Sequence, residues 1–363
     1  MMSMSSCGMP RASVGPGTDV PPRLPGRAPG ARPPGGPPGR GRRAEFLAHP
    51  RRPGVRPRHS RHSRAGDQRV GSEREAPGSM RYESEQVATD GGVITVRRAG
   101  HDGPTLLFVH GMMVNGHVWD PLVERLGDRY RVVLPDLPLG GHRTALAADA
   151  DRSPGAHADR VLNLARTLPG PVVLVGNDTG GAIAQIAAVR EPTLFSRLVL
   201  LPSDAFDNCP PRLLTPLRPI AALPPLIRGI CVGLRGRPFR RLLMKFVARS
   251  PVPDRQLAEL LGALPHDRGV QRDLTGLLHT LRPEVTRKVV PRLGDYRRPV
   301  LIAWSRKDPL FPLAHAHRLA ECFPNASVVI AERSRAFVSL DEPEWLATRL
   351  IEFMETEPAP DTA

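Results

Sequence analysis

The 363-residue chain is poor in cysteine: Cys7, Cys209, Cys231 and Cys322 lie far apart, and no Cys-x-x-Cys pair occurs. That spacing codes for neither a zinc site nor a disulfide framework, and it predicts buried or incidental thiols in a reducing compartment. Long apolar runs are missing as well. The greasiest stretch, Leu213 to Leu234, is interrupted by four prolines and by Arg218 and Arg228, so it falls short of the ~18 apolar residues that a bilayer-spanning helix needs. Near the Arg42-Arg43 pair the longest apolar run is Phe46-Leu47-Ala48, too short for the core of a secretory signal. These absences predict a cytoplasmic protein with no membrane partner. No part of the sequence speaks to oligomeric state.

Charge is abundant but unevenly placed. Of the formal +15, residues 1–79 contribute +10, from 15 Arg against 5 acidic residues with no Lys; the remaining 284 residues hold 36 basic against 31 acidic groups. The same 79 residues contain 14 Pro and 13 Gly and almost nothing to bury, so they are expected to be a disordered, solvated tail. Arg42, Arg43, Arg51, Arg52, Arg56, Arg58, Arg61 and Arg64 could grip phosphates. Only Phe46 is available there for base stacking, so no nucleic-acid partner is expected. Met80 stands where the tail gives way to folded sequence and is the expected start of the native product. Residues 357–363 are expected to be a flexible end.

From residue 80 onward, short apolar runs rich in β-branched residues alternate with stretches of helical periodicity. Tyr82 to Thr89 and Gly92 to Arg98 read as an antiparallel entry. Thr105 to His110, Tyr130 to Pro135, Pro171 to Gly176, Arg197 to Leu201, Pro299 to Trp304 and Ser327 to Ala331 read as strands covered on both faces. Helices are expected over Val118 to Leu126, Ala158 to Leu168, Gly180 to Val189, Leu313 to Cys322 and Glu342 to Met354. This is the pattern of a doubly wound, mostly parallel α/β core. The alternation breaks from about Ser203 to Asp295, over 80 residues without a convincing strand. A structureless loop of that length is physically implausible, so a helical cap over the carboxyl ends of the strands is expected. The resulting division is core at 80–202, cap at 203–295 and core again at 296–356.

The sharpest local signal is Val175-Gly176-Asn177-Asp178-Thr179-Gly180-Gly181, after an apolar strand and at the head of an Ala-rich helix. Small residues on both sides permit a tight strand-to-helix turn that lifts the central side chain above the helix N-terminus. The side chain there is Asp178, whose charge the helix dipole favours, as suits a nucleophile. A plain N-cap is the structural alternative.

This motif, with Leu106-Leu107-Phe108-Val109-His110-Gly111 followed by Trp119, with Asp136-Leu137-Pro138, and with Trp304-Ser305-Arg306-Lys307-Asp308-Pro309, resembles the α/β-hydrolase superfamily with an inserted cap. The resemblance implies that the backbones of Met112 and Thr179 form an oxyanion hole and that Asp308 is the acid of a catalytic triad. It implies that His110 braces its loop, and it brings Gly111, Asn177 and Trp119 into consideration around the pocket. The family also carries a histidine after the last strand, about seven residues before a Pro-Glu pair. Here that count back from Pro343 lands on Ala336, and no histidine follows His317.

An ionised Asp178 can displace a leaving group unaided, but hydrolysis of the resulting ester needs a base. His142 is the first substitute considered, His266 and His279 weaker ones, and Asp204 is either a second pocket carboxylate or the N-cap of the first cap helix. Resemblance to haloalkane dehalogenases would call for Trp at Thr179 and often Asn at Met112, and cap tyrosines of the epoxide hydrolase kind have no counterpart in Tyr82, Tyr130 or Tyr296. The expectation is a hydrolase of small, largely apolar molecules, needing no cofactor or metal. A non-catalytic binding protein, or a lyase or isomerase using Asp178 as base, stands as the alternative.

Overall fold

A computed structural model describes residues 80–217 and 223–356. The expectations for residues 1–79 and 357–363 lie outside the described residues. Eight strands form a single sheet in the order β1-β2-β4-β3-β5-β6-β7-β8: β1 Glu83–Thr89, β2 Gly92–Ala99, β3 Thr105–Val109, β4 Arg131–Pro135, β5 Val172–Asp178, β6 Phe195–Ser203, β7 Val300–Ser305 and β8 Ala326–Ala331. β2 runs antiparallel to both β1 and β4, and every pairing from β4 to β8 is parallel. Continuous apolar runs are what a strand covered on both faces requires, and β3 and β7 are buried at every position.

Because successive side chains alternate across a strand, β3 divides its residues between two cores. Leu107 and Val109 join the core that holds Ile183 and Ala184, whereas Leu106 and Phe108 join the one that holds Leu122 and Leu346. The first core is covered by helices α1 Pro154–Ala165 and α2 Thr179–Arg190. The second is covered by Asp120–Leu126 and Pro343–Glu355. Helix α1 starts four residues before the position its apolar spacing suggests. Ser153 explains this, since its side chain accepts the Ala156 N–H as an N-cap while Pro154 occupies the first turn, where a missing N–H costs nothing.

Between β6 and β7 the described residues contain no strand. Helices α3 Pro224–Gly233, α4 Arg237–Val247, α5 Asp254–Leu261 and α6 Arg268–Thr280 are followed by the short helix Pro283–Arg287. Ile227, Cys231, Leu261, Leu264, Val270 and Leu274 give this interval an apolar cluster of its own, against which Met112 and Met113 of the loop after β3 are packed. Cys209, Cys231 and Cys322 are buried thiols. No helix among the described residues is long and apolar enough to cross a membrane.

Candidate active site

The turn from β5 into α2 carries the backbone feature that its small residues suggest. The β5–β6 register shifts between Gly176 and Asp178, and Asp178 then adopts φ 56°, a left-handed conformation uncommon for a residue with a Cβ. The turn closes only because its neighbours lack side chains. A Cβ on Gly180 would sit 2.3 Å from the His110 carbonyl oxygen, and one on Gly111 would sit 2.4 Å from Asp178 Oδ2. Such strain persists only where the surrounding structure enforces it.

Asp178 does not act as a side-chain cap of its helix. Its Oδ2 accepts the Met112 N–H at 3.0 Å, and the Thr179 backbone N–H also favours its ionised form. Burial nevertheless dominates and pushes the carboxyl up to about 6. The N–H groups of Met112 and Thr179, expected to face an oxyanion, meet the Asp178 carboxylate itself.

Asp204 lies immediately beside it. The pairing of Asp178 with Ser203 across β5 and β6 places Asp204 at the next position, where its N–H donates to the Asp178 carbonyl at 3.3 Å. A turn rather than a helix follows, so Asp204 is not an N-cap. It is fully buried, and its Oδ2 accepts the Thr179 hydroxyl at 3.0 Å while its Oδ1 has no partner. Burial and the Asp178 charge both drive the Asp204 carboxyl well above the usual carboxylate range.

Asp308 follows β7. Its Oδ1 accepts the N–H groups of Leu310 at 2.7 Å and Phe311 at 3.2 Å, and its Oδ2 is buried without a partner. Burial, with the field of Asp178 added, raises it to about 7 despite the nearby Arg335. Ala336, at the position counted back from Pro343, is 1 % exposed. Its carbonyl accepts one N–H of Asn177 at 2.9 Å, while the other Asn177 N–H reaches the Pro202 carbonyl at 2.8 Å. Asn177 therefore ties the turn to the end of β6 and to the 336 loop.

His142 is directed elsewhere. Its Nε2 pairs with Asp273 Oδ2 at 3.2 Å, and its Nδ1 accepts the Gly140 N–H at 3.3 Å, so both ring nitrogens are engaged. Asp273, on α6, is a residue that no sequence pattern singles out. Burial raises its pKa, but hydrogen bonds from His142, the Leu146 N–H, Arg152 and Arg272 outweigh that and hold the carboxyl down to about 2. The His110 ring is held at both nitrogens: Nδ1 bonds the Gly111 carbonyl at 2.8 Å and Nε2 accepts the Leu137 N–H at 2.9 Å. Trp119, considered for the pocket, is instead a fully buried core residue with its ring 5.0 Å from Phe108. No three His, Cys, Asp or Glu side chains converge as metal ligands would among the described residues.

A family model described as the alpha/beta hydrolase fold matches residues 104–343, which span strands β3 to β8, the turn and Asp308. The chain belongs to the α/β-hydrolase family. As a member it is 31% identical over 252 residues to a pimeloyl-[acyl-carrier protein] methyl ester esterase of Xanthomonas axonopodis pv. citri, an alignment covering 63% of this chain and 86% of the esterase. It is 27% identical over 275 residues to the putative carbamate hydrolase RutD of Agrobacterium fabrum, covering 71% and 95% of the two chains. In three dimensions it is similar to the epoxide hydrolase CorEH, with a TM-score of 0.63 at 20% identity over 76% of this chain and 99% of that one. The likeness in structure is one of fold.

Proposed function

We propose that this α/β-hydrolase acts on a small, largely apolar substrate through Asp178 as nucleophile. The observation that carries the reading is the placement of one carboxylate oxygen, Oδ2, against the Met112 N–H. In the proposed first step the other oxygen, Oδ1, attacks carbon, a C–O bond forms, and the leaving group departs with its electron pair. The ester so formed keeps Oδ2 as its carbonyl oxygen, beside donors that stabilise the negative charge developing when water adds.

Asp308 is the proposed base for that second step. Its Oδ2 is unpartnered, and a carboxyl raised to about 7 has the proton affinity that general-base catalysis near neutrality favours. Water loses a proton to Asp308 Oδ2 as its oxygen adds to the ester carbonyl; collapse breaks the acyl C–O bond, the departing alkoxide takes that proton from Asp308 and leaves as the alcohol, and Asp178 returns to the carboxylate by giving its acid proton to solvent. His142, with both ring nitrogens engaged, has no part in this scheme. The unpartnered Asp204 Oδ1 favours a second reading, in which the Asp178–Asp204 pair exchanges protons with a substrate and no ester forms.

Intact-mass measurement after exposure to haloalkanes, epoxides, esters and lactones separates these outcomes. Turnover by the native chain, a stable adduct on Asp308→Asn and none on Asp178→Ala is the expected result. Turnover without an adduct on Asp308→Asn supports the second reading. Inertness of all three proteins defeats both.

A further inference from the structure

Between Asp207 and Asp254 the chain has no acidic residue and nine basic ones. That segment builds α3 and α4, and these helices present large apolar side chains outward. Leu223 is 56% exposed, Leu226 44%, Phe239 38%, Leu242 55% and Phe246 51%. On α4 the three outward residues fall at i, i+3 and i+7, which is one stripe of a helix, while Met244 turns inward and is buried. Lys245 runs beside that stripe, as does Arg241, whose guanidinium is shared with the Asp254 carboxylate at 2.7 Å. The two helices adjoin where a Cβ on Gly233 would meet the Phe239 ring at 3.4 Å, so the exposed residues of α3 and α4 belong to neighbouring elements. Arg228 lines a shallow groove on α3 together with Pro224, Pro225 and Val232.

We infer that this face docks on the surface of an anionic lipid bilayer. An apolar stripe edged by Lys and Arg, on a helix too short to span, is the design of an interfacial helix: the apolar side chains enter the acyl boundary and the cations meet lipid phosphates. Charge complementarity selects this occupant over the others the chain offers. A second copy of a +15 chain brings the same sign. A nucleic acid would satisfy the cations but leave the outermost groups, which are leucine and phenylalanine, without a role. The inference does not depend on the reaction proposed above.

The test is flotation of the full chain with vesicles of phosphatidylcholine and phosphatidylglycerol at 7:3 and with pure phosphatidylcholine. The expected result is binding to the mixed vesicles alone, weakened by salt. Leu242→Ser with Phe246→Ser, and separately Arg228→Glu with Lys245→Glu, should each lower the bound fraction about tenfold with unchanged melting temperature. A Phe246→Trp variant should show emission quenched by brominated acyl chains. Binding unchanged by the serine pair would assign the adsorption to residues 1–79 and overturn the inference. Absence of quenching overturns it as well, as does displacement from vesicles by single-stranded RNA that binds the serine pair equally well.

Discussion

Replacing Asp308 with Asn should stabilise the protein, and the gain should depend on pH in a defined way. The hydrogen-bond geometry tolerates the change: an amide oxygen can accept from Leu310 and Phe311 as Asp308 Oδ1 does, and the amide nitrogen takes the place of the unpartnered Oδ2. What the substitution removes is a buried negative charge. Raising the carboxyl from 3.8 to about 7 withholds up to about 4 kcal/mol of folding free energy once the group is ionised in both states. A partly exposed position brings this nearer to about 2–4 kcal/mol. The sign follows from proton binding. Below about pH 3 Asp308 is largely protonated folded or unfolded, and up to about pH 4 native and variant chains should differ by less than about 1 kcal/mol. As pH rises, the unfolded chain releases its proton first, so the native protein loses stability until the folded group ionises near 7. Urea denaturation of both proteins from pH 4 to pH 8 would trace that widening gap, which at pH 8 corresponds to roughly 4–10 °C in melting temperature. A gap that is flat with pH, or an Asn variant less stable at pH 8, would refute the assignment of Asp308 as a destabilising buried charge.

The two proposed chemical steps should separate by pH: adduct formation rises with ionisation of Asp178 through about 6 and ester hydrolysis with that of Asp308 through about 7, so quench-flow with mass detection should find most adduct between those values. A single shared profile for both steps would contradict the division of roles. Asp273→Leu should destabilise the fold by about 3–5 kcal/mol, because it strands His142 and Arg152 in the interior. In the native chain, Asp273 contributes stability that is present above about 4 and is lost as pH falls toward 2, and chemical denaturation of the variant should lack that acid-side component.

Strands covered on both faces, such as Thr105–Val109, announce themselves as unbroken apolar runs, and the turn at Asp178 announces itself through glycines that no side chain could replace. Asp204 was visible as a charge just past a core strand, but its contact with Asp178 depends on the β5–β6 register, which no local pattern encodes. Asp273 was invisible: it is one acid in a helix of ordinary amphipathic spacing, and apart from Arg272 its partners lie more than 120 residues away. The same contact explains why His142, the first substitute base considered, is occupied as a structural ligand of Asp273. Trp119 packs its ring against Phe108 in the second core, where burial removes a large apolar area from water.

The Asp273 network also has a mechanical consequence. It fastens α6 to the 142–152 segment of the core through a buried charge, and Asp341 fastens the end of α4 in a similar way, accepting the N–H groups of Arg249 and Ser250. A hinged swing of the entire helical interval would have to break both anchors at once.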